Sequence, residues 1–197
     1  MFKIFDRWAV EDIKVAEPGL RDVISIAPKL ALRSGGRYAG EKFHRSKISI
    51  VERLANKLMV PGHKGKKHFK TSGHCGGKAQ TVYNLLKSAF SLIEAKTGKN
   101  PIEVFVKAIE NAAPRAEIVT IEYGGARYPK AVECGPQRRV DLVLRHFAQG
   151  AYQKAFGQKK RSSEALAEEI INAYNNNSAS VAISKKFELE RQAEASR

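Results

Sequence analysis

The stretch NPIEVFVKAIENAAPRAEIVTIEYGGARYPKAVECGPQRRV, residues 100–140, changes its hydrophobic period twice and so decides the fold. Asn100-Pro101 is a helix start, an N-cap side chain followed by a first-turn proline that needs no N–H partner. Phe105 and Ile109 continue at helical spacing to about Asn111, and Pro114 closes the element. The period then falls to two. AEIVTIEY (116–123) and RYPKAVE (127–133) are β-rich runs on either side of Gly124-Gly125, a pair that supplies the positive φ angles of a tight hairpin turn. Pro129 lacks a ladder donor and belongs on an edge, which a two-stranded ribbon provides. Pro136 restores the helical period, with Val140, Leu144, Phe147, Ala151 and Phe156 on one apolar side until Gly157 and Gln158-Lys159-Lys160-Arg161 break it. A lone ribbon between two helices cannot bury both of its faces, so it must lie on the helices or project toward a partner.

Working outward, Ile48, Val51, Leu54, Ala55 and Leu58 form a helical stripe with Ser46 as its expected N-cap and Pro61-Gly62 as its end. Val82, Leu85, Leu86, Ala89, Phe90 and Ile93 form a second stripe from Lys78 to Thr97-Gly98. Downstream, Ser162 or Ser163 should cap a helix through Leu166, Ile170 and Tyr174, and Val181 to Ala195 reads as a final helix. Upstream, the β-branched runs around Ala9 to Val15 and Asp22 to Ile26 suggest two short strands or extended arms. The expected architecture is mainly α: a single helical domain of about six helices, a protruding two-stranded β-hairpin, and an extended N-terminal arm with short strands. The arm is assigned to residues 1–45 and the helical domain to 46–197, with the hairpin at 115–133.

The chain carries 35 Lys and Arg against 20 Asp and Glu, a net charge of +15, and 43% apolar residues, enough for a real core. The excess is concentrated. Residues 33–78 hold twelve cations and two acids, and residues 115–161 hold ten and four, while the rest is near neutral. Two such blocks suit a polyanion, because each cation that neutralises a phosphate releases condensed counterions. No run of about 18 apolar residues exists, MFKIFDRW lacks the parts of a secretory signal, and two cysteines suit a reducing compartment, so a cytosolic protein without membrane contact is expected.

Catalytic readings fare poorly. His63, His68, His74 and Cys75 lack C-x2-C spacing and sit among lysines, which favours a solvated basic loop, with Lys64, Lys66, Lys67, Lys70 and Lys78 touching phosphate, over a zinc site. Gly73 to Ala79 has neither the spacing nor the hydroxyl of a phosphate-cradling P-loop. Cys134 with His146, and the pairs Glu168-Glu169 and Glu188-x-Glu190, read as a small buried thiol and solvated helix faces. No catalytic residue, metal, cofactor or small-molecule substrate is therefore expected. Arg115, Arg127, Tyr128 and Lys130 on the hairpin suit RNA, since a guanidinium clamps phosphate and either plane stacks on an unpaired base. Gln137-Arg138-Arg139 opposes the helix dipole, a cost that a bound phosphate reverses, and Arg145 on the same helix and Lys159-Lys160-Arg161 just past its end extend the basic character.

Taken in order, GGRYAGEKF (35–43), IVERLANKLM (50–59), TGKNPIEVFVKAIENAAPR (97–115), the GGARY turn, CGPQRRVDLVL (134–144), SSEALAEEIINAY (162–174) and AISKKFELERQAEASR (182–197) resemble the universal ribosomal protein seven of the small subunit, in its archaeal and eukaryotic form. That resemblance implies a structural ribonucleoprotein component. It would bind the major 3′ domain of small-subunit ribosomal RNA and help nucleate the head, with its hairpin near the exit-site transfer RNA and the messenger RNA path and with neighbouring head proteins as partners. It carries RNA contact to Arg115, Arg127, Tyr128 and Lys130, to Arg138 and Arg139, and to Arg37, Lys42, Arg45 and Lys47. The loop from Pro61 to Lys78 is longer and richer in His and Gly than the family usually shows. A DNA-binding helical module, or a small RNA-processing enzyme, is the alternative from another class.

Overall fold

The computed structural model describes residues 3–29, 32–38, 40–64, 67–68 and 78–196, with the side chains of residues 63, 64, 67 and 68 left aside. Its elements are α1 (Pro18–Arg21), a 3-10 turn (His44–Lys47), α2 (Ile50–Leu58), β1 (His63–Lys64), β2 (Lys67–His68), α3 (Ala79–Thr97), α4 (Pro101–Ala112), β3 (Ala116–Tyr123), β4 (Ala126–Glu133), α5 (Pro136–Ala155), α6 (Ser162–Tyr174) and α7 (Val181–Ala195). The mainly helical class and the antiparallel hairpin stand as read from the pattern. β1 and β2 form a second, two-residue antiparallel pair inside the segment expected as a loop.

Helices α3, α4, α5 and α6 pack around a row of aromatic side chains. Phe90, Phe105 and Phe147 are fully buried, and the Phe90–Phe105 and Phe105–Phe147 ring centroids lie 5.9 and 6.3 Å apart. The row continues into the N-terminal segment, where the Trp8 ring meets Phe90 edge-on at 5.8 Å. Such edge-to-face pairs match the positive ring edge to the negative face.

This contact explains the first departure from the sequence reading. Among the described residues, no strand forms at Ala9 to Val15 or Asp22 to Ile26. Ile4, Trp8, Val10, Val15, Leu20 and Ile24 instead bury themselves against the helices, so the segment pairs with the core rather than with another strand. Its backbone polar groups are met by Glu110, whose carboxylate accepts from the N–H groups of Ala16 (2.5 Å) and Glu17 (3.1 Å), and Ser25 forms a single parallel bridge with Ser49. Strand-like composition here reflects alternate burial of apolar side chains on a helical surface.

Two caps also differ. Asn100 caps α4 as expected, its side chain accepting from Ile102 N–H at 3.1 Å. The N-cap position before α2 is Ser49 rather than Ser46, because residues 44–47 coil into the 3-10 turn and Ile48 is extended and buried. Before α6 the N-cap is Arg161, with Ser162 already helical. The N-terminus of α7 is instead capped from a distance: the wholly buried Glu169 accepts from Ser180 Oγ (2.8 Å), Val181 N–H (2.5 Å) and Ala182 N–H (3.3 Å), and Lys154 pairs with its other oxygen at 2.7 Å. Gly150 leaves room for that carboxylate, since a Cβ there would lie 2.9 Å from Glu169 Cδ.

The hairpin turns at Gly124 (φ 57°) and Gly125 (φ 80°), both left-handed, the geometry of a two-residue type I′ turn. The foot is closed by Cys134 N–H donating to the Arg115 carbonyl, and Glu190 of α7 accepts from Arg115 N–H at 3.0 Å. From Val119 to Lys130 every residue is exposed, so the outer half of the ribbon projects from the helices.

Candidate nucleic-acid interface

α5 is the element that gathers the cations. Gly135 and Pro136 start it, and the N-cap Gly135 supplies no side chain, so the first-turn N–H groups lack a capping side chain from that position. Beside them opens a groove of about 680 Å³ whose walls include Tyr38, Phe43 and Arg45 from the segment before α2, and Arg138, Asp141 and Arg145 from α5. The two basic blocks of the sequence therefore meet here. Positions 138, 141, 142 and 145 recur at three- and four-residue spacing, which places them on one helix face.

Within the groove the carboxylates act as struts. Asp141 accepts from Arg45 (3.0 Å) on one side and from the buried Arg53 (3.2 Å) on the other, while Arg53 also donates to the Val23 carbonyl at 2.9 Å. Burial holds the Arg53 guanidinium below the usual arginine range, opposed by Asp141. Its Nε–H is buried without a partner among the described residues. Burial likewise holds the Lys57 ammonium down, with Asp141 opposing and Arg145, Arg45 and Arg53 adding to the effect. Arg45, Arg53, Lys57 and Arg145 crowd around Asp141, and although Glu41 also lines the groove, the cations outnumber the acids there. Glu117, at the hairpin foot, accepts the Arg138 Nε–H on both oxygens (2.7 and 2.8 Å) and fixes that guanidinium at the groove edge.

The remaining candidates are placed apart. Arg139 points inward: it is 8% exposed, its Nε–H donates to the Pro114 carbonyl (2.9 Å), and it pairs with Glu17 at 2.6 Å. Its expected phosphate contact does not fit this placement, because the guanidinium ties the N-terminal segment and the end of α4 to α5. Arg37 donates to the Ser34 carbonyl at 3.3 Å, Lys42 sits 5.3 Å from the Phe43 ring centre, and Lys47 and Lys78 are exposed. Lys159 and Arg161 are exposed at the far end of α5, where Lys160 pairs with Glu168. Lys64, Lys66, Lys67 and Lys70, with His63, His68, His74 and Cys75, lie outside the described side chains.

On the hairpin, the register pairs Ile121 with Tyr128 and Val119 with Lys130, so Val119, Ile121, Tyr123, Tyr128 and Lys130 share one exposed face. Arg127 belongs to the other face and meets Glu122 at 3.6 Å, both well exposed. From Arg115 to Glu133 the cations and acids balance at three each. The ribbon thus offers aromatic and aliphatic surface more than charge.

Neither of the rejected nucleophile partners is poised for chemistry. Burial, reinforced by Glu117, pushes the Cys134 thiol up to about 11. Burial, reinforced by Arg145 and Lys185, pushes His146 down to about 4. At neutral pH both are uncharged.

Sequence reasoning missed Arg53, Asp141, Lys57, Tyr38 and Phe43. A signal for one of them was present: Asp141 is the one acid between Glu133 and Glu164, in an otherwise basic helix start. Arg53 lies opposite the apolar stripe of α2, where a cation reads as solvated surface, so its burial beside Asp141 left no mark in the local pattern.

No helix among the described residues is long and apolar enough to cross a membrane. Residues 26–197 match the family described as ribosomal protein S7p/S5e. The chain is similar to the small ribosomal subunit protein uS7 of Nanoarchaeum equitans, at 55% identity over 195 residues covering 99% of this chain and 98% of that one. It is similar also to the small ribosomal subunit protein uS7 of Cenarchaeum symbiosum, at 44% identity over 194 residues, 98% of this chain and 96% of that one.

Proposed function

Because the chain belongs to the ribosomal protein S7p/S5e family, whose members are structural and non-enzymatic, we propose that the groove between α5 and the segment before α2 is where it grips small-subunit ribosomal RNA. Ribosomal RNA and other ribosomal proteins are its partners at the level the family establishes. The observation that carries the finer reading is the convergence of Arg45, Arg138 and Arg145 on the uncapped start of α5. Guanidiniums and free N–H groups together donate to phosphate oxygens, and the helix dipole adds to the attraction. Binding of this kind follows backbone shape, since A-form RNA hides its base edges in a deep groove.

In this reading the RNA is the major 3′ domain, and the protein helps nucleate the subunit head. The protruding hairpin, with Tyr128 and Lys130 on its exposed face and Arg127 and Arg115 beside it, reaches toward exit-site transfer RNA and messenger RNA. Lys42, Lys47, Lys78 and the lysines of the 61–78 loop add phosphate contacts.

Reversing Arg45 and Arg145 to Glu tests the assignment. Incorporation into the subunit head in a reconstitution assay should fall to background while the free protein keeps its fold. Wild-type incorporation of the folded double variant contradicts it.

A further inference from the structure

The face of α5 that lines the basic groove does not stop at Arg145. Arg145 also borders a second hollow of about 360 Å³ with Lys57, and that hollow shares Pro61 and Ala148 with a third, of about 320 Å³, at the C-terminal end of the helix. The three form one trough along α5, whose 20 residues extend for roughly 30 Å at the α-helical rise. Its chemistry changes along the way. The near end is guanidinium and carboxylate; the far end is Leu58, Leu85, Tyr152 and Phe156.

Phe156 was expected on the buried side of the helix, yet it is 58% exposed. Its ring lies against Tyr152, with centroids 5.1 Å apart and planes tilted by 35°. A single exposed aromatic is ordinary. A paired one over an apolar hollow, followed at once by Lys159, Lys160 and Arg161, is a different feature, and no acid occurs between Asp141 and Glu164 to offset that charge. Lys154 and Lys160 are already paired with Glu169 and Glu168, whereas Lys159 and Arg161 are exposed and lie along the chain between Gly157 and Ser162, both in the wall of the hollow.

We propose that this far end of the trough is a seat for an unpaired nucleobase, stacked on the Phe156–Tyr152 pair, with its flanking phosphates at Lys159 and Arg161. The assignment rests on the RNA reading above and extends it. Aromatic rings take any base through its π-face, and cations at the rim hold the backbone on both sides, the combination that suits single-stranded RNA. Ser162, in the wall of the same hollow, offers a hydroxyl to the base edge. Charge complementarity selects a nucleic acid over an apolar protein segment, because such a segment would leave the Lys159–Arg161 rim without anions.

The test is a binding titration of the full chain against a fragment of the 3′ major domain of ribosomal RNA, repeated over a range of potassium chloride. Phe156→Leu keeps apolar volume and removes the stacking plane, so affinity should fall about tenfold with the slope of log affinity against log salt unchanged. Phe156→Trp should restore binding. Lys159→Gln with Arg161→Gln should flatten the slope by roughly one to two, the mark of lost phosphate contacts. Wild-type affinity for the folded Phe156→Leu variant overturns the base seat while leaving the RNA reading intact. So does unimpaired RNA binding by that variant coupled to lost uptake of a neighbouring protein in reconstitution, which would assign the hollow to a protein partner. A wild-type chain that fails to bind the fragment sinks both readings together.

Discussion

Replacing Asp141 with asparagine keeps the shape of the groove and removes the charge that balances a buried guanidinium. Arg53 is 3% exposed, and its counter-charge is Asp141, whose side chain is 18% exposed. Removing one partner of a buried pair costs about 3–5 kcal/mol, because the other charge is left in a poor solvent. Arg53 keeps its bond to the Val23 carbonyl and Asp141 is not wholly buried, so the lower end, about 3 kcal/mol, applies here. The half-exposed Arg45 adds at most about 1 kcal/mol. For a domain of this size each kcal/mol moves the melting temperature by about 2–4 °C, which places the Asp141→Asn midpoint about 6–16 °C lower. Circular dichroism melts at neutral pH measure this directly. The companion Asp141→Asn/Arg53→Met, with charge removed and volume kept, should recover most of the loss. An Asp141→Asn melt within about 2 °C of wild type, or a double variant no better than the single, refutes the reasoning that Asp141 is a strut for Arg53.

Three further outcomes follow from other parts of the fold. The folded state keeps His146 neutral down to about pH 4, while the unfolded chain protonates near 6.5; stability is therefore full above 6.5 and falls as pH drops, by about 3 kcal/mol at pH 4, and urea midpoints of His146→Gln should lack that part of the acid loss. Gly150→Ala drives a methyl group against the Glu169 carboxylate, which four partners hold in place, and should cost about 1–3 kcal/mol in urea unfolding, with the start of α7 losing amide protection. Cys134, with its thiol at about 11, should resist alkylation at pH 8 in the folded protein and react freely in denaturant; rapid labelling of the native residue counts against its burial.

Much of this organisation is written in periodicity. The stripes of α3 to α6, the Asn100-Pro101 start and the Gly124-Gly125 turn depend on neighbours a few residues away, and the observed elements follow them closely. The N-terminal segment was illegible for the opposite reason: Trp8 and Ile4 are ordered by Phe90 and α3, more than 80 residues along the chain. Arg138 and Arg139 show the same limit at a single step. One turns to the groove and the other into the protein, a difference of about 100° around the helix axis that a run of two arginines does not display. Even so, Arg139 stands four residues before Val143 and eight before Phe147, both buried, and that spacing marks its side of α5. The convergence of the two basic blocks depends on how the segment before α2 folds back on α5, which local pattern does not specify.

The placement of RNA in the groove between α5 and the segment before α2 is tested most directly by tethered cleavage. A hydroxyl-radical source attached at Gln137→Cys, on the groove wall, is compared with one at Glu194→Cys, near the end of α7, both in a Cys75→Ser background and bound to the 3′ major domain RNA. Strong, localised strand scission from residue 137 and little from residue 194 is the expected result. Equal cutting from the two positions, or cutting from residue 194 alone, would contradict it.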